Sequence, residues 1–292
     1  MIKIDEFINN KVLKNIPLFR KFIFFYLKSK NPLTIEDLKF QTKYSNSYAL
    51  ISEKNSKIFK KINDRLDCYF RGGAIGPNKR WEYPWVLTNL RLRRGLKILD
   101  VGCGQSPIQF LLSDLGLNVF GIDPNENTEW HGINRKLANF YGCSIKYQTD
   151  RAEKIQFPDN TFDRVCCVSV IEHIRSKEIK NPEKRELTKD DLDLQRRIMN
   201  EIIRVLKPGG ICVITVDFFI PRDNLLLKSN VNVKNLMDIR NTEIVGNSIK
   251  TPFFGEKDFK LNKLIRNSDI DIVNYCDILQ TSIGFTLRKI ED

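Results

Sequence analysis

From Leu96 onward, short apolar runs alternate with stretches of helical period, the pattern of parallel strands covered by helices on both faces. Lys97-Ile98-Leu99-Asp100-Val101 reads as a first strand and Gly102-Cys103-Gly104-Gln105-Ser106-Pro107 as the turn that ends it. Ser106 is a good N-cap and Pro107 suits a first helical position, which predicts a helix from Pro107 to about Leu115, stopped by Gly116. Asn118–Ile122 is a second strand ending at Asp123. A helix from about Asn127 follows, with Trp130, Ile133, Leu137 and Tyr141 expected on one face, then a third strand at Ser144–Gln148. Phe162–Val170 is a fourth strand leading into Ile171-Glu172-His173-Ile174. The next helix turns Leu194, Ile198, Ile202, Val205 and Leu206 inward and stops at Lys207-Pro208-Gly209-Gly210, before a fifth strand Ile211–Asp217.

The first third has a different character. A six-residue apolar run, Phe22–Leu27, lies among lysines and predicts a helix beginning near Pro17. Residues 12–30 fit either a membrane interface, with lysines reaching anionic headgroups, or a basic helix packed over the core. Residues 1–95 hold 20 Lys and Arg against 8 Asp and Glu, while the rest of the chain is balanced, so the whole net charge of +12 sits there. That asymmetry predicts a boundary near Arg94-Gly95 and either an anionic partner or simply a solvated basic face. The expected organisation is a basic, mostly helical region, 1–94, acting as substrate entrance or lid, and an α/β domain, 95–292, with a substrate-specific insertion at about 217–260.

No stretch without Asp, Glu, Lys or Arg exceeds Val101–Ser113, too short for a spanning helix. The opening Met1–Glu6 lacks the pattern of a secretory signal, so the expectation is a cytoplasmic protein, with peripheral membrane contact left open. Seven irregularly spaced cysteines imply no disulfide framework, and the lack of Cys-x-x-Cys with only His131 and His173 present predicts no metal.

Glycines at a strand end before a helix N-terminus admit a ligand to bare backbone N–H groups, and a carboxylate at the next strand's end, Asp123, suits ribose hydroxyls. A nicotinamide or flavin site wants Gly-x-Gly-x-x-Gly, and Pro107 stands at the third glycine position. The ensemble instead resembles class I S-adenosylmethionine-dependent methyltransferases of the small-molecule type, on five motifs in order: Ile98–Gly104, Gly121-Ile122-Asp123, Ala152–Asp163, Ser169–Ile174 and Ile203–Gly210. The resemblance implies a Rossmann-like, doubly wound, seven-stranded sheet with its last strand antiparallel, Asp269–Tyr275 and Ser282–Arg288 forming the closing hairpin. It implies S-adenosylmethionine as cofactor. Asp100 with Gly102, Cys103 and Gly104 would hold its methionine part, Asp123 the ribose, and Ala152-Glu153 the adenine edge, while Ser169 and Val170 would close the methionine side and Pro124 would also belong to the cofactor site. Two departures stand out. The family's third glycine is missing near Ser106, and its acidic-Ala-Glu turn reads Asp150-Arg151-Ala152-Glu153, which shifts the adenine-side carboxylate to Asp150.

A hydroxyl acceptor needs a base, and His173 is the first candidate because it follows the fourth strand's C-terminal end; a pocket-shaping or capping histidine fits equally. Glu172 and Asp217 are secondary candidates, and His131 reads as surface or packing. Arg80-Trp81-Glu82-Tyr83-Pro84-Trp85 is similar to a segment of methyltransferases from bacterial surface-glycan gene clusters, and fits either a lid or an aromatic helix on the sheet edge. A sugar, sugar nucleotide or lipid-linked glycan acceptor accounts for a basic entrance and an interfacial segment together. RNA is the second reading and lacks any recognisable binding module; a non-catalytic cofactor-binding scaffold is the third.

Overall fold

A computed structural model describes residues 17–39, 44–69, 75–124, 129–176, 187–220, 230–247, 269–275 and 278–291. Its helices are α1 (Pro17–Lys30), α2 (Ile35–Leu38), α3 (Ile51–Lys54), α4 (Lys57–Asp67), α5 (Lys79–Asn89), α6 (Ile108–Asp114), α7 (Glu129–Tyr141), α8 (Lys189–Val205) and α9 (Val233–Met237). Its strands are β1 (Ser47–Tyr48), β2 (Lys97–Val101), β3 (Asn118–Asp123), β4 (Ile145–Thr149), β5 (Phe162–Val168), β6 (Leu206–Ile220), β7 (Thr242–Ile244), β8 (Val273–Tyr275) and β9 (Ile278–Lys289). None of the described helices is long and apolar enough to cross a membrane.

Strands β4, β3, β2, β5 and β6 lie side by side and parallel, and β9 adds antiparallel to β6. This is the expected α/β sheet, and its order reverses beside β2, where β3 leaves on one side and β5 on the other. Open α/β sheets bind ligands at that reversal. Period-two alternation divides the core in two. Leu99, Val101, Val165, Cys167, Cys212 and Ile214 join the apolar cluster under α8, while Ile98, Cys166, Ile211 and Val213 join the one shared with α1, α4, α5, α6 and α7.

The far edge differs from a seven-stranded plan. The place beside β9 is shared by three short strands from distant parts of the chain: β8 pairs with its start, β1 with Ile283 and Gly284, and β7 with Leu287 to Lys289. Among the described residues the sheet therefore has nine strands, because β9 is 12 residues long and no single described segment spans it. A closing hairpin forms between β8 and β9, but it pairs Val273–Tyr275 with Ile278–Gln280, and the expected partner segment Ser282–Arg288 pairs along β6. The basic N-terminal helices share the second cluster with the sheet, Phe24, Phe59 and Trp81 packing with Ile98 and Phe110, so the change of charge at Arg94-Gly95 is not matched by a break in packing. Of the expected insertion, residues 221–229 and 248–260 lie outside the described residues, as do residues 12–16 and Asn127.

One helix face is rotated from expectation. In α7 the buried positions are His131, Asn134, Ala138 and Tyr141, while Ile133 is 40% exposed; the side chain of Trp130 lies outside the described residues. Apolar periodicity misses this because two of the inward residues are polar, held by backbone carbonyls as described next.

Candidate functional site

The turn after β2 has Gly102 at φ +67° and Gly104 at φ +41°. Gly102 has a second reason to be glycine: a Cβ there would stand 2.5 Å from a Val170 methyl carbon. Cys103 N–H donates to the Ile122 carbonyl (2.9 Å), and Gly104 N–H donates to Asp123 Oδ2 (3.1 Å), tying the ends of β2 and β3 together. From α7, Asn134 donates to the Gly104 carbonyl (2.6 Å) and His131 Nε2 lies 3.3 Å from the Asp123 carbonyl. These two bonds are why polar residues occupy the inner face of α7. The helix after the turn begins at Ile108 rather than Pro107, yet Ser106 Oγ still accepts its Ile108 N–H (3.2 Å).

Asp100 is buried at the end of β2, level with Gly121 and Cys166 in the neighbouring strands. The Cys166 thiol donates to Oδ1 (3.5 Å), and Oδ2 is buried with no partner. Burial pushes this carboxyl up to about 7 against the pull of the Cys166 bond, with the nearby Asp123 carboxylate adding to the rise. Pro124, beyond Asp123, is exposed.

Past β4, Asp150 accepts from Arg151 N–H (2.9 Å) and Gln156 N–H (2.7 Å), so both its oxygens are turned into its own loop. Asp150, the expected adenine-side carboxylate, thus also ties its own Asp150–Gln156 loop together. Ala152 is buried in the same turn, and Glu153 pairs with Arg151 (2.6 Å).

The other side of the site is built on β5, β6 and α5. Ser169 has φ +49°, a conformation non-glycine residues seldom adopt, and its hydroxyl donates to Glu82 on α5. Lys79 pairs with the second Glu82 oxygen (2.6 Å), and Asn78 donates to Asp217 Oδ1 (3.0 Å), which also accepts from Ser282 (3.1 Å). Glu172 is buried; its Oε1 accepts the Asp217 N–H (2.7 Å) and its Oε2 has no partner. Burial, then the Asp217 charge, pushes the Glu172 carboxyl well up. Burial, then Glu82, pushes Asp217 up to about 6 against the pull of Lys79. His173 is 62% exposed with Nε2 3.9 Å from Glu172. Crowding by the chain, then the Lys79 and Arg175 cations, lower its tendency to take a proton, which favours the neutral ring.

The family described as "Methyltransferase domain" matches residues 99–214. A demethylmenaquinone methyltransferase of Symbiobacterium thermophilum is 30% identical over 158 residues, 53% of this chain and 55% of its own length. A sterol 24-C-methyltransferase of Yarrowia lipolytica is 26% identical over 144 residues, 49% of this chain and 33% of its own. The chain thus spans a third to just over half of these two relatives. Among solved structures, the cyclase SpnF superposes with a TM-score of 0.50 at 16% identity over 91% of this chain and 94% of that one. The chain carries a class I S-adenosylmethionine-dependent methyltransferase domain.

The methyltransferase site fits its cofactor on one observation above others: Asp100 Oδ2 is a buried acceptor without a donor, beside a turn whose backbone has been brought to positive φ. An amino group supplies what that oxygen lacks. Glu172, His173 and Asp217 offer three ligand atoms within 4.8 Å of one another. Lys79 already brings positive charge to Glu172 and Asp217, and no metal is assigned there. Sequence reasoning missed Asn78, Lys79, Asn134 and Ser282. Asn134 had a signal, a polar residue at the i+3 spacing from His131 on one helix face; the others reach the site only through long-range packing. Arg80–Trp85, open between lid and packed helix, is packed: Trp81 and Trp85 are buried and stacked at 5.4 Å, and a Cβ on Gly284 would meet Trp85 at 2.7 Å.

Proposed function

We propose that this methyltransferase acts on a hydroxyl of a polar small molecule, with a sugar or sugar-bearing acceptor as the favoured class. The observation that carries the reading is the character of the β5–β6 side, where Asn78, Lys79, His173 and Asp217 gather at the strand ends. A flat apolar acceptor would gain no polar contact from these groups, whereas a polyol can add its own donors and acceptors to the network they form. The similarity of Arg80–Trp85 to glycan-cluster methyltransferases supports the same choice. The fold alone decides nothing about the reaction, since a protein named a cyclase shares it.

S-adenosylmethionine, when bound, supplies an electrophilic methyl on a sulfonium that leaves as a neutral thioether and needs no acid. Asp100 would accept from its amino group, Asp123 from the ribose hydroxyls, and the Gly102–Gly104 backbone would line its methionine part, with Ser169 and Val170 closing that side. Ala152 and Glu153 border the adenine edge in this reading. His173, solvent-facing, would take the proton that the acceptor hydroxyl loses on methylation. Glu172 and Asp217 orient that segment, Glu172 through the Asp217 N–H. The remainder of the rate comes from alignment of acceptor and methyl.

The test is methyl transfer followed by mass spectrometry with sugar nucleotides, phosphoethanolamine, a demethylmenaquinone analogue and a sterol offered separately. A methyl gain on a sugar acceptor is expected, with His173→Gln slowing it about 10²- to 10⁴-fold at unchanged cofactor affinity. Methylation of the sterol or quinone alone overturns the acceptor class, and no loss with His173→Gln overturns the base.

A further inference from the structure

We propose that α1 docks the protein on an anionic lipid surface. The helix carries Arg20, Lys21, Lys28 and Lys30 and no acidic residue. One face is locked into the fold: Ile23 and Phe24 are buried, Phe24 packs on Tyr69 (5.5 Å) and Tyr141 (4.8 Å), Arg20 lies over Phe140 (5.9 Å), and Lys28 pairs with Asp114. The opposite face presents Phe22, 60% exposed, and Phe25, 49% exposed. Among the described residues the other large exposed apolar side chains are Ile51, Ile133, Ile244 and Ile290.

Two phenylalanines within one turn, on a helix held rigid from behind by Arg20 and Lys28 among others, with Lys21 beside them and no acidic residue of its own, are complementary to a surface with an apolar interior and negative headgroups. Each basic side chain near such a surface adds attraction, and each aromatic ring that enters it adds apolar burial. A protein partner would need a matching apolar groove with acidic rims; a bilayer supplies both without shape matching.

The placement of α1 fixes how the protein would sit. α6 leaves the C-terminal end of β2 and finishes at Asp114 before β3 begins, and α7 finishes at Tyr141 before β4 begins. Asp114, Phe140 and Tyr141, the residues that α1 grips, therefore lie at the pole opposite the site. Five-residue strands separate the poles by about 16 Å. Docking would leave the site facing water, so lipid binding is independent of cofactor binding.

The experiment is co-sedimentation of the full chain with vesicles of phosphatidylcholine alone and of phosphatidylcholine mixed with phosphatidylglycerol, at low and high salt, with and without S-adenosylmethionine. The chain is expected to bind the mixed vesicles, to release in high salt, and to ignore the cofactor. The double variant Phe22→Ser, Phe25→Ser is expected to lose about tenfold or more in partitioning, and Lys21→Glu several-fold, each keeping the parent's circular dichroism and calorimetric cofactor affinity. Equal partitioning of parent and double variant overturns the proposal. So does equal binding to phosphatidylcholine alone, or a dimer in solution that the double variant disperses, which would assign the face to a second copy of the chain.

Discussion

Between Asp100 and Asp123 the site is held by backbone geometry and by partners from adjoining elements, Gly104 N–H on Asp123 and Asn134 on the Gly104 carbonyl. From Asn78 to Asp217 it is held by side chains far apart in the chain, Glu82 with Ser169 and Asn78 with Asp217. The first side depends on φ angles and close approach; the second is a network of charges that share one lysine. A change of shape should therefore be felt most on the first side, and a change of charge on the second.

The largest effect is expected from Gly102→Ala. Its φ of +67° and the 2.5 Å approach to Val170 combine left-handed strain with overpacking, together about 2–4 kcal/mol of stability. Urea unfolding checks it as a lower midpoint at unchanged slope. Adding Val170→Ala should restore roughly half, because it relieves the contact and leaves the φ strain. Full recovery would show that packing alone constrains the turn and would break the comparison.

Asp100→Asn separates shape from charge on the same side. The carboxyl sits at about 7 in the folded protein against 3.8 for a free one, so between those values the folded state holds the extra proton and stability falls as pH rises through the window. The amide variant should escape that loss, being more stable relative to the parent at pH 8 than at pH 5. Cofactor affinity moves the other way: about 10–100-fold weaker in the variant at pH 8, and in the parent about tenfold weaker per unit below pH 7. Calorimetric titration across pH checks both arms, and a flat parent profile would remove Asp100 from the cofactor side.

On the second side, Glu82→Gln keeps the shape and removes the charge that Lys79 and Ser169 share, at an expected cost of about 1–2 kcal/mol. In a double-mutant cycle with Lys79→Met the two changes should couple by about 0.5–2 kcal/mol, measured by urea unfolding. Additivity would mean that the network is a set of independent contacts.

This contrast also explains what was legible beforehand. The β2 turn, Asp123 and the succession of strands and helices along the chain were readable because glycines, short apolar runs and strand-end carboxylates record local backbone geometry. Glu82 sits in an aromatic stretch whose spacing fits a lid as well as a packed helix, and only long-range contacts, Glu82 with Ser169 and Trp85 with Gly284, distinguish them. The buried face of α7 was misread for a related reason: His131 and Asn134 are inside because carbonyls at Asp123 and Gly104 bind them, and hydropathy counts them as outside. The three-part edge of β9 escaped because two- and three-residue strands carry almost no pattern of their own.

The smallest effect joins a local device to the second side. Thr188 and Asp191 form a capping box at the start of α8, and Asp191 Oδ1 also accepts from the Ser176 N–H and hydroxyl, both at 2.8 Å, three residues beyond His173. Burial pushes this carboxyl up, but the Ser176 and Thr188 bonds outweigh it and hold it well below the usual range. A depressed carboxylate contributes stability above its unfolded value, near 3.8, and loses it as pH falls through the folded one. Asp191→Ala should therefore cost about 1 kcal/mol at neutral pH and progressively less in acid. Because the bond also anchors the segment after His173, the variant should lower methyl transfer more than it lowers cofactor affinity. Equal loss in both would mean that Asp191 acts on the domain as a whole and has no particular hold on the acceptor side.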